Sequence, residues 1–149
     1  RVLQFELGQM SLVKDLPENS VVCTGTHDND TLLGWFESLP VKSSDGDMLT
    51  QNKLLTFFQC TKENIHWEII SYALSTASYT VITPLQDILG ENSSARFNTP
   101  GTLSPDNWSW RMEEGKLTKP LNTKLAELTE RHNRNTSAVI NLLKKEIES

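Results

Sequence analysis

Three short apolar runs, Val2–Leu7, Val21–Thr24 and Tyr79–Thr83, are separated by segments whose apolar residues recur at helical intervals. This alternation constrains the fold more than any other feature. Short β-branched runs read as strands. Strands separated by helices pair in parallel, because a parallel pair needs a long crossover. The crossovers are legible. Leu32, Leu33, Trp35 and Phe36 follow a polar turn in which Asp30 or Thr31 can cap a helix, and the pattern stops near Leu39-Pro40. Met48–Phe58 has fair helical spacing. Asn64–Ser78, with Ile65, Trp67, Ile69, Ile70 and Leu74, reads as a well-buried helix. Pro84–Gly90 reads as a turn of helix ended by its glycine. Glu91–Arg111 is long, irregular and dense in Asn, Ser, Pro and Gly, and loops of that length are often functional. A helix from Pro120 to His132 and another from about Asn135 close the chain.

The expected class is therefore α/β. Three strands cannot close a barrel, and a (β/α)8 barrel needs about 250 residues against the 149 present. The pattern fits the C-terminal portion of a (β/α)8 TIM barrel. Residues 1–149 would supply about its last three strands with their helices, and then the C-terminal helices. The chain opens inside an apolar run and without Met, which reads as N-terminal truncation. A partial barrel leaves a sheet edge and apolar helix faces uncovered, so poor solubility is expected of this piece alone.

Composition narrows function by exclusion. With 37% hydrophobic and 22% charged residues the chain is globular rather than disordered. A net charge of −5 with no basic block argues against a nucleic-acid partner, whose affinity rests on clustered Lys and Arg. No run approaches 18 apolar residues, so no membrane span is expected. Cys23 and Cys60 form no CxxC pair, which points away from a disulfide framework and towards a reducing cytoplasm.

Ligands of α/β folds lie beyond the carboxyl ends of the strands. Glu6–Gln9, Thr24–Asp30 and the Pro84–Asp87 turn hold that place here. Only Thr24–Asp30 is dense in chemistry, with His27 beside Asp28 and Gly25 allowing a tight path. Neighbouring side chains diverge on extended backbone, so these two should reach one ligand from different angles rather than bond each other. A carboxylate and an imidazole suit the vicinal hydroxyls of a sugar, and Phe97, Trp108 and Trp110 suit pyranose faces. A plainer reading stands beside this one. His-Asp-Asn-Asp is a common helix-entry composition, and capping is the favoured role for Asp30 and Thr31. A metal site from His27, Asp28 and Asp30 lacks a second imidazole or thiolate nearby. No Gly-x-Ser-x-Gly elbow occurs, and Cys23 in an apolar strand reads as core. Trp35 and Trp67 read as helix packing, while Trp108 and Trp110 stay open between core and stacking.

Several motifs then fall in a recognisable order. Val21-Val-Cys-Thr-Gly-Thr-His-Asp-Asn-Asp-Thr31 with Leu32-Leu-Gly-Trp-Phe36, Pro84-Leu-Gln-Asp-Ile-Leu-Gly90, Ala95-Arg-Phe-Asn-Thr-Pro-Gly-Thr102 and Asn107-Trp-Ser-Trp-Arg111 resemble the 4-alpha-glucanotransferase family. The resemblance runs from the first residue to about Met112. It implies a (β/α)8 barrel that transfers segments of an α-1,4-glucan donor to an acceptor, maltooligosaccharides or glucose, with retention. It implies that Asp28 is the carboxylate that stabilises the transition state, at the end of the seventh strand. His27 and Asn98 would bind the sugar, and Phe5, near the end of the sixth strand, would be an aromatic contact. The nucleophile and the acid/base would lie on earlier strands, so the piece alone should be inactive. No cofactor and no metal are expected. The cytoplasm is the expected compartment, or a plastid if a transit peptide precedes the segment. A non-catalytic α-glucan-binding module and a related α-glucan hydrolase remain the rival readings.

Overall fold

The computed structural model describes residues 1–8 and 16–134. The chain forms two compact units, Arg1–Met112 and Glu113–Ser149.

The first unit is α/β. Strand β1 (Val21–Cys23) pairs in parallel with β2 (Thr80–Ile82), Val22 standing opposite Val81. On its other side β1 meets Val2 through one parallel bridge to Cys23. The three segments thus run the same way, with β1 in the middle.

The first apolar run is not a strand. Only Val2 bridges, and helix α1 (Leu3–Gly8) starts at the next residue. The N–H groups of Phe5 and Glu6 turn back on the Val2 carbonyl at 3.1 and 3.3 Å. Leu3 and Leu7, four residues apart, are buried on one helix face. An apolar run this short suits either structure, and period alone does not decide it. Phe5 therefore sits on a helix rather than at a strand end.

Helix α2 (Leu32–Ser38) starts where its cap dictates. Thr31 Oγ1 accepts the Gly34 N–H at 3.0 Å. Gly34 is required by close packing. A Cβ there would lie 2.3 Å from Ser93 Oγ and 2.8 Å from Asp30 Oδ1. Helix α3 (Gln51–Phe58) begins three residues later than the spacing implied, because Thr50 caps it by accepting the Lys53 N–H. The buried Gln51 amide reaches back to the Leu39 carbonyl at 2.8 Å and ties α3 to the end of α2. Helix α4 (Ile65–Leu74) stops short of Ser78. The Ser75 and Thr76 hydroxyls donate to the Tyr72 and Ala73 carbonyls, a local alternative to the helical ladder.

Helix α4 packs against α2, α3 and α5 (Leu85–Leu89). Ile65, Ile69, Ile70 and Ala73 join Leu32, Phe36 and Leu54 in the core. Each large apolar side chain there contributes about 1.5–3 kcal/mol. Gly90 ends α5 in the left-handed region at φ 67°, and a Cβ there would meet the His66 ring at 3.0 Å. The rest of the unit is a 3-10 turn, Ser93–Ala95, and then the irregular loop expected from its composition.

The described part of the second unit contains α6 (Lys119–Arg131), capped by Thr118 with Pro120 in its first turn. The helix expected from about Asn135 and the Gln9 end of the first polar segment lie outside the described residues. Among the described residues no helix is long and apolar enough to cross a membrane.

Candidate active site

The parallel segments all end on one side of the sheet, and side chains tie those ends together. From α1, Gln4 Nε2 donates to the Asp30 carbonyl at 2.7 Å. The Thr24 N–H still reaches β2, at the Ile82 carbonyl. Between these anchors the chain makes a turn laced by its own side chains. The Asn29 N–H donates to the Thr26 carbonyl. Asn29 Oδ1 accepts both the Thr26 N–H at 3.0 Å and the Thr26 hydroxyl at 2.7 Å.

This lacing changes the geometry expected of His27 and Asp28. In a turn, unlike extended backbone, neighbouring side chains can converge, and His27 Nε2 stands 3.4 Å from Asp28 Oδ1. The expectation that they diverge is thus corrected. The contact is long for a hydrogen bond, and both side chains remain about half exposed, 56% and 48%. Each can still be reached by a ligand.

A second stretch completes the surroundings of Asp28. Asn98 Nδ2 donates to Asp28 Oδ1 at 2.7 Å. Arg96 spans the pair: Nη2 donates to the Asp28 carbonyl at 2.7 Å and Nε to the Asn98 carbonyl at 2.9 Å. Both side-chain contacts of Asp28 fall on Oδ1, which leaves Oδ2 without a protein donor among the described residues. Trp108 stands on the other flank. Its ring lies 5.1 Å from that of His27 and edge-on to Phe97, also at 5.1 Å. The indole is 52% exposed on a backbone at φ 63°, a left-handed conformation unusual for a bulky side chain. Such strain persists where the surroundings hold it, often beside binding sites.

Asp28 lines an open groove of about 690 Å3 with Gln4, Phe5, Trp35, Arg96 and Pro100. That volume lies within the range of small-ligand sites. Phe5 is 60% exposed at its edge. Trp35, expected in helix packing, is half-buried and also lines the groove, whereas Trp67 is buried as expected. Asn98 and Trp108 line an adjoining hollow of about 440 Å3. A third hollow of about 210 Å3 lies between His27, Asp87, Phe97 and Trp110.

Capping explains Thr31 but not Asp30, for which it was the favoured role. Among the described residues no first-turn amide of α2 donates to the Asp30 carboxylate, because Thr31 Oγ1 takes the Gly34 N–H and Asp87 takes the Leu32 N–H. The Asp30 carboxylate accepts the Thr31 N–H at 2.8 Å and the Ser93 hydroxyl at 2.7 Å. Among the described residues no group of three or more His, Cys, Asp or Glu side chains is placed to hold a metal. Burial pushes the Cys23 thiol above its usual value, which lowers its thiolate fraction and suits packing rather than attack.

Two residues of consequence escaped the reading of the sequence. Arg96 lies in the Ala95–Thr102 motif, two residues before Asn98, where spacing alone gives it no partner. Asp87 is a carboxylate only 2% exposed. Its Oδ2 accepts the Thr24 hydroxyl at 2.6 Å and its Oδ1 the Leu32 N–H at 2.7 Å. Burial pushes its carboxyl up to about 6, against the pull of those two bonds. The available signal is an acid in the Pro84–Asp87 turn, directly after the second β-branched strand.

A half-exposed carboxylate, an imidazole and a carboxamide thus stand beside open aromatic faces at the carboxyl ends of parallel strands on an α/β scaffold. A family model described as 4-alpha-glucanotransferase matches residues 1–118. The 4-alpha-glucanotransferase of Synechocystis sp. is 43% identical over 117 residues, 78% of this chain and 22% of that protein. The chloroplastic/amyloplastic 4-alpha-glucanotransferase of Oryza sativa subsp. japonica is 41% identical over 133 residues, 87% of this chain and 21% of that protein. Among solved structures, an amylomaltase from Streptococcus agalactiae in complex with acarbose matches with a TM-score of 0.76 at 27% identity, covering 91% of this chain and 27% of that one. The chain belongs to the 4-alpha-glucanotransferase family. It spans about a fifth to a quarter of the length of the curated relatives it matches.

Proposed function

We propose that these residues supply part of the active site of a retaining 4-alpha-glucanotransferase, with Asp28 as the carboxylate that stabilises the transition state. The observation that carries this reading is the setting of Asp28. Its carboxylate lines a groove of ligand size, is fixed through Oδ1 by Asn98, and has no protein donor on Oδ2 among the described residues, so that a sugar hydroxyl could bond there.

Retention requires two displacements. A nucleophilic carboxylate and an acid/base carboxylate stand about 5–5.5 Å apart across the scissile bond. As the bond breaks, positive charge grows on the sugar ring. An anion held beside the ring favours that charge over the ground state, and such preorganised partners lower the barrier because they need no rearrangement. His27 would bind the same sugar through its imidazole, Asn98 would orient the carboxylate while contacting substrate, and Phe5 would offer an aromatic face at the groove edge. The neighbouring amylomaltase was solved with acarbose, which supports a sugar ligand for this groove.

The nucleophile and acid/base are assigned to earlier strands of a (β/α)8 barrel, of which residues 1–149 form the C-terminal part. The chain assayed by itself is therefore expected to be inactive. Its substrates are α-1,4-glucan donors and acceptors, maltooligosaccharides and glucose. The compartment is the cytoplasm, or a plastid where a transit peptide precedes the segment. Incubation of the complete protein with maltotriose tests the reading. Longer oligosaccharides together with glucose are expected. Glucose and maltose alone would show a hydrolase, and binding without turnover would show a glucan-binding module.

A further inference from the structure

The turn that carries His27 and Asp28 hangs between two anchor points, and one side chain holds both. Thr24 enters the turn, is fully buried, and gives its hydroxyl to Asp87 Oδ2. Leu32 leaves it as the first residue of α2, is fully buried, and gives its N–H to Asp87 Oδ1. The side-chain hydrogen bonds of Asp87 go to these two residues and not to His27 or Asp28. Helix α5, which bears Asp87, is fixed at its far end by the left-handed Gly90 against the His66 ring.

Stability alone is a poor reason for this carboxylate. Taking it out of water costs about as much as two charge-assisted hydrogen bonds return, so an apolar side chain of similar shape would serve the core as well. What an apolar side chain cannot do is hold two donors from different elements at one short separation. We infer that Asp87 is a positioning residue for the transfer reaction, its two oxygens setting the separation of Thr24 and Leu32 and so the placement of Asp28 and His27 over the sugar. The inference rests on Asp28 acting as proposed above.

The test uses the complete enzyme and steady-state kinetics with maltotriose. Asp87→Ala removes both anchors, and kcat is expected to fall about 10–100-fold with KM within about threefold, the scale of a misplacement near 1 Å. Asp87→Asn should recover most of the lost kcat, because its oxygen can accept from Leu32 while its amide donates to the Thr24 hydroxyl. In the Asp28→Asn background, Asp87→Ala should cost much less than it does alone, only the part that passes through His27, since the rest acts through Asp28. Unchanged kcat in Asp87→Ala, or losses that multiply in the double variant, overturns the inference. If Asp87→Ala does not fold, Thr24→Val takes its place. It keeps the shape, removes one anchor, and must lower kcat several-fold; an unchanged kcat there overturns the inference equally. Asp28→Asn separates the two failures. Near-normal turnover by that variant removes the role of Asp28 and this inference with it. An impaired Asp28→Asn beside a fully active Asp87→Ala removes this inference alone.

Discussion

The turn from Thr24 to Thr31 and the loop from Arg96 to Trp110 meet over Asp28, yet they are held by different means. The turn is rooted in the interior. Its ends bond a buried carboxylate, its exit is capped by Thr31, and its exit helix packs so closely on Ser93 and Asp30 that only glycine fits at position 34. The loop is held by bonds near the surface. Asn107 accepts the Thr99 N–H through Oδ1 and donates to Thr102 through Nδ2, and all of these bonds are exposed. Exposed backbone bonds with few buried contacts open most easily. The lesson is that the anion is placed by the rigid stretch, while aromatic contact is supplied by the adaptable one.

The largest expected effect tests whether the rigid stretch carries the chemistry. In the complete enzyme, Asp28→Asn should bind maltooligosaccharide but lose about 10²–10³ in kcat, the usual cost of one electrostatic partner in the transition state. Near-normal disproportionation of maltotriose would break the comparison at its centre.

The next effect concerns the root of the turn. Burial pushes the Asp87 carboxyl from its ordinary 3.8 up to about 6 in the folded chain. Between those values the folded state keeps a proton that the unfolded state releases. Its contribution is fully present below about pH 4 and is lost as pH rises through 6, by about 3 kcal/mol in all. Hydrogen exchange at the Leu32 and Gly34 amides, corrected for the intrinsic rate, should report easier opening over that window. Asp87→Asn should flatten the dependence.

A matched pair of glycine substitutions contrasts the two stretches directly. Gly34→Ala pushes a methyl onto Ser93 Oγ and Asp30, whose 2.7 Å bond must give, and should cost about 1–3 kcal/mol in local unfolding. Gly101→Ala has open space around it and only the strain of φ 74°, so about 1 kcal/mol is expected. Equal costs in the two variants would mean the stretches do not differ in rigidity. The smallest effect belongs to the loop. Trp108→Ala should raise KM for maltotriose about 3–10-fold, the scale of one aromatic face, with kcat nearly unchanged.

Much of this was legible in the sequence, and what was not has identifiable causes. The strands β1 and β2, the start of α2 and the stop at Gly90 follow from local signals: β-branched runs, a capping threonine, a glycine at a left-handed position. Leu3–Gly8 failed because a six-residue apolar run suits strand and helix equally, and the Leu3–Leu7 face needs a core to choose it. The approach of His27 to Asp28 failed because it depends on Asn29 folding back on Thr26, a turn that residue spacing does not encode. Asn98 was placed by motif, and its bond to Asp28 is seen in the structure. Arg96 and Asp87 act across more than 50 residues of sequence, on Asp28, Thr24 and Leu32. Pairings at that range become visible only once the chain has folded.

Because both feet of the turn that bears Asp28 stand on one interior side chain, the outer loop can be rewritten without disturbing them. Substitutions among residues 99–110 would reshape the hollow that Trp108 lines while leaving the Asp28 carboxylate where it is. A designer seeking a different hollow should vary that loop and keep Thr24, Leu32 and Asp87 as they stand.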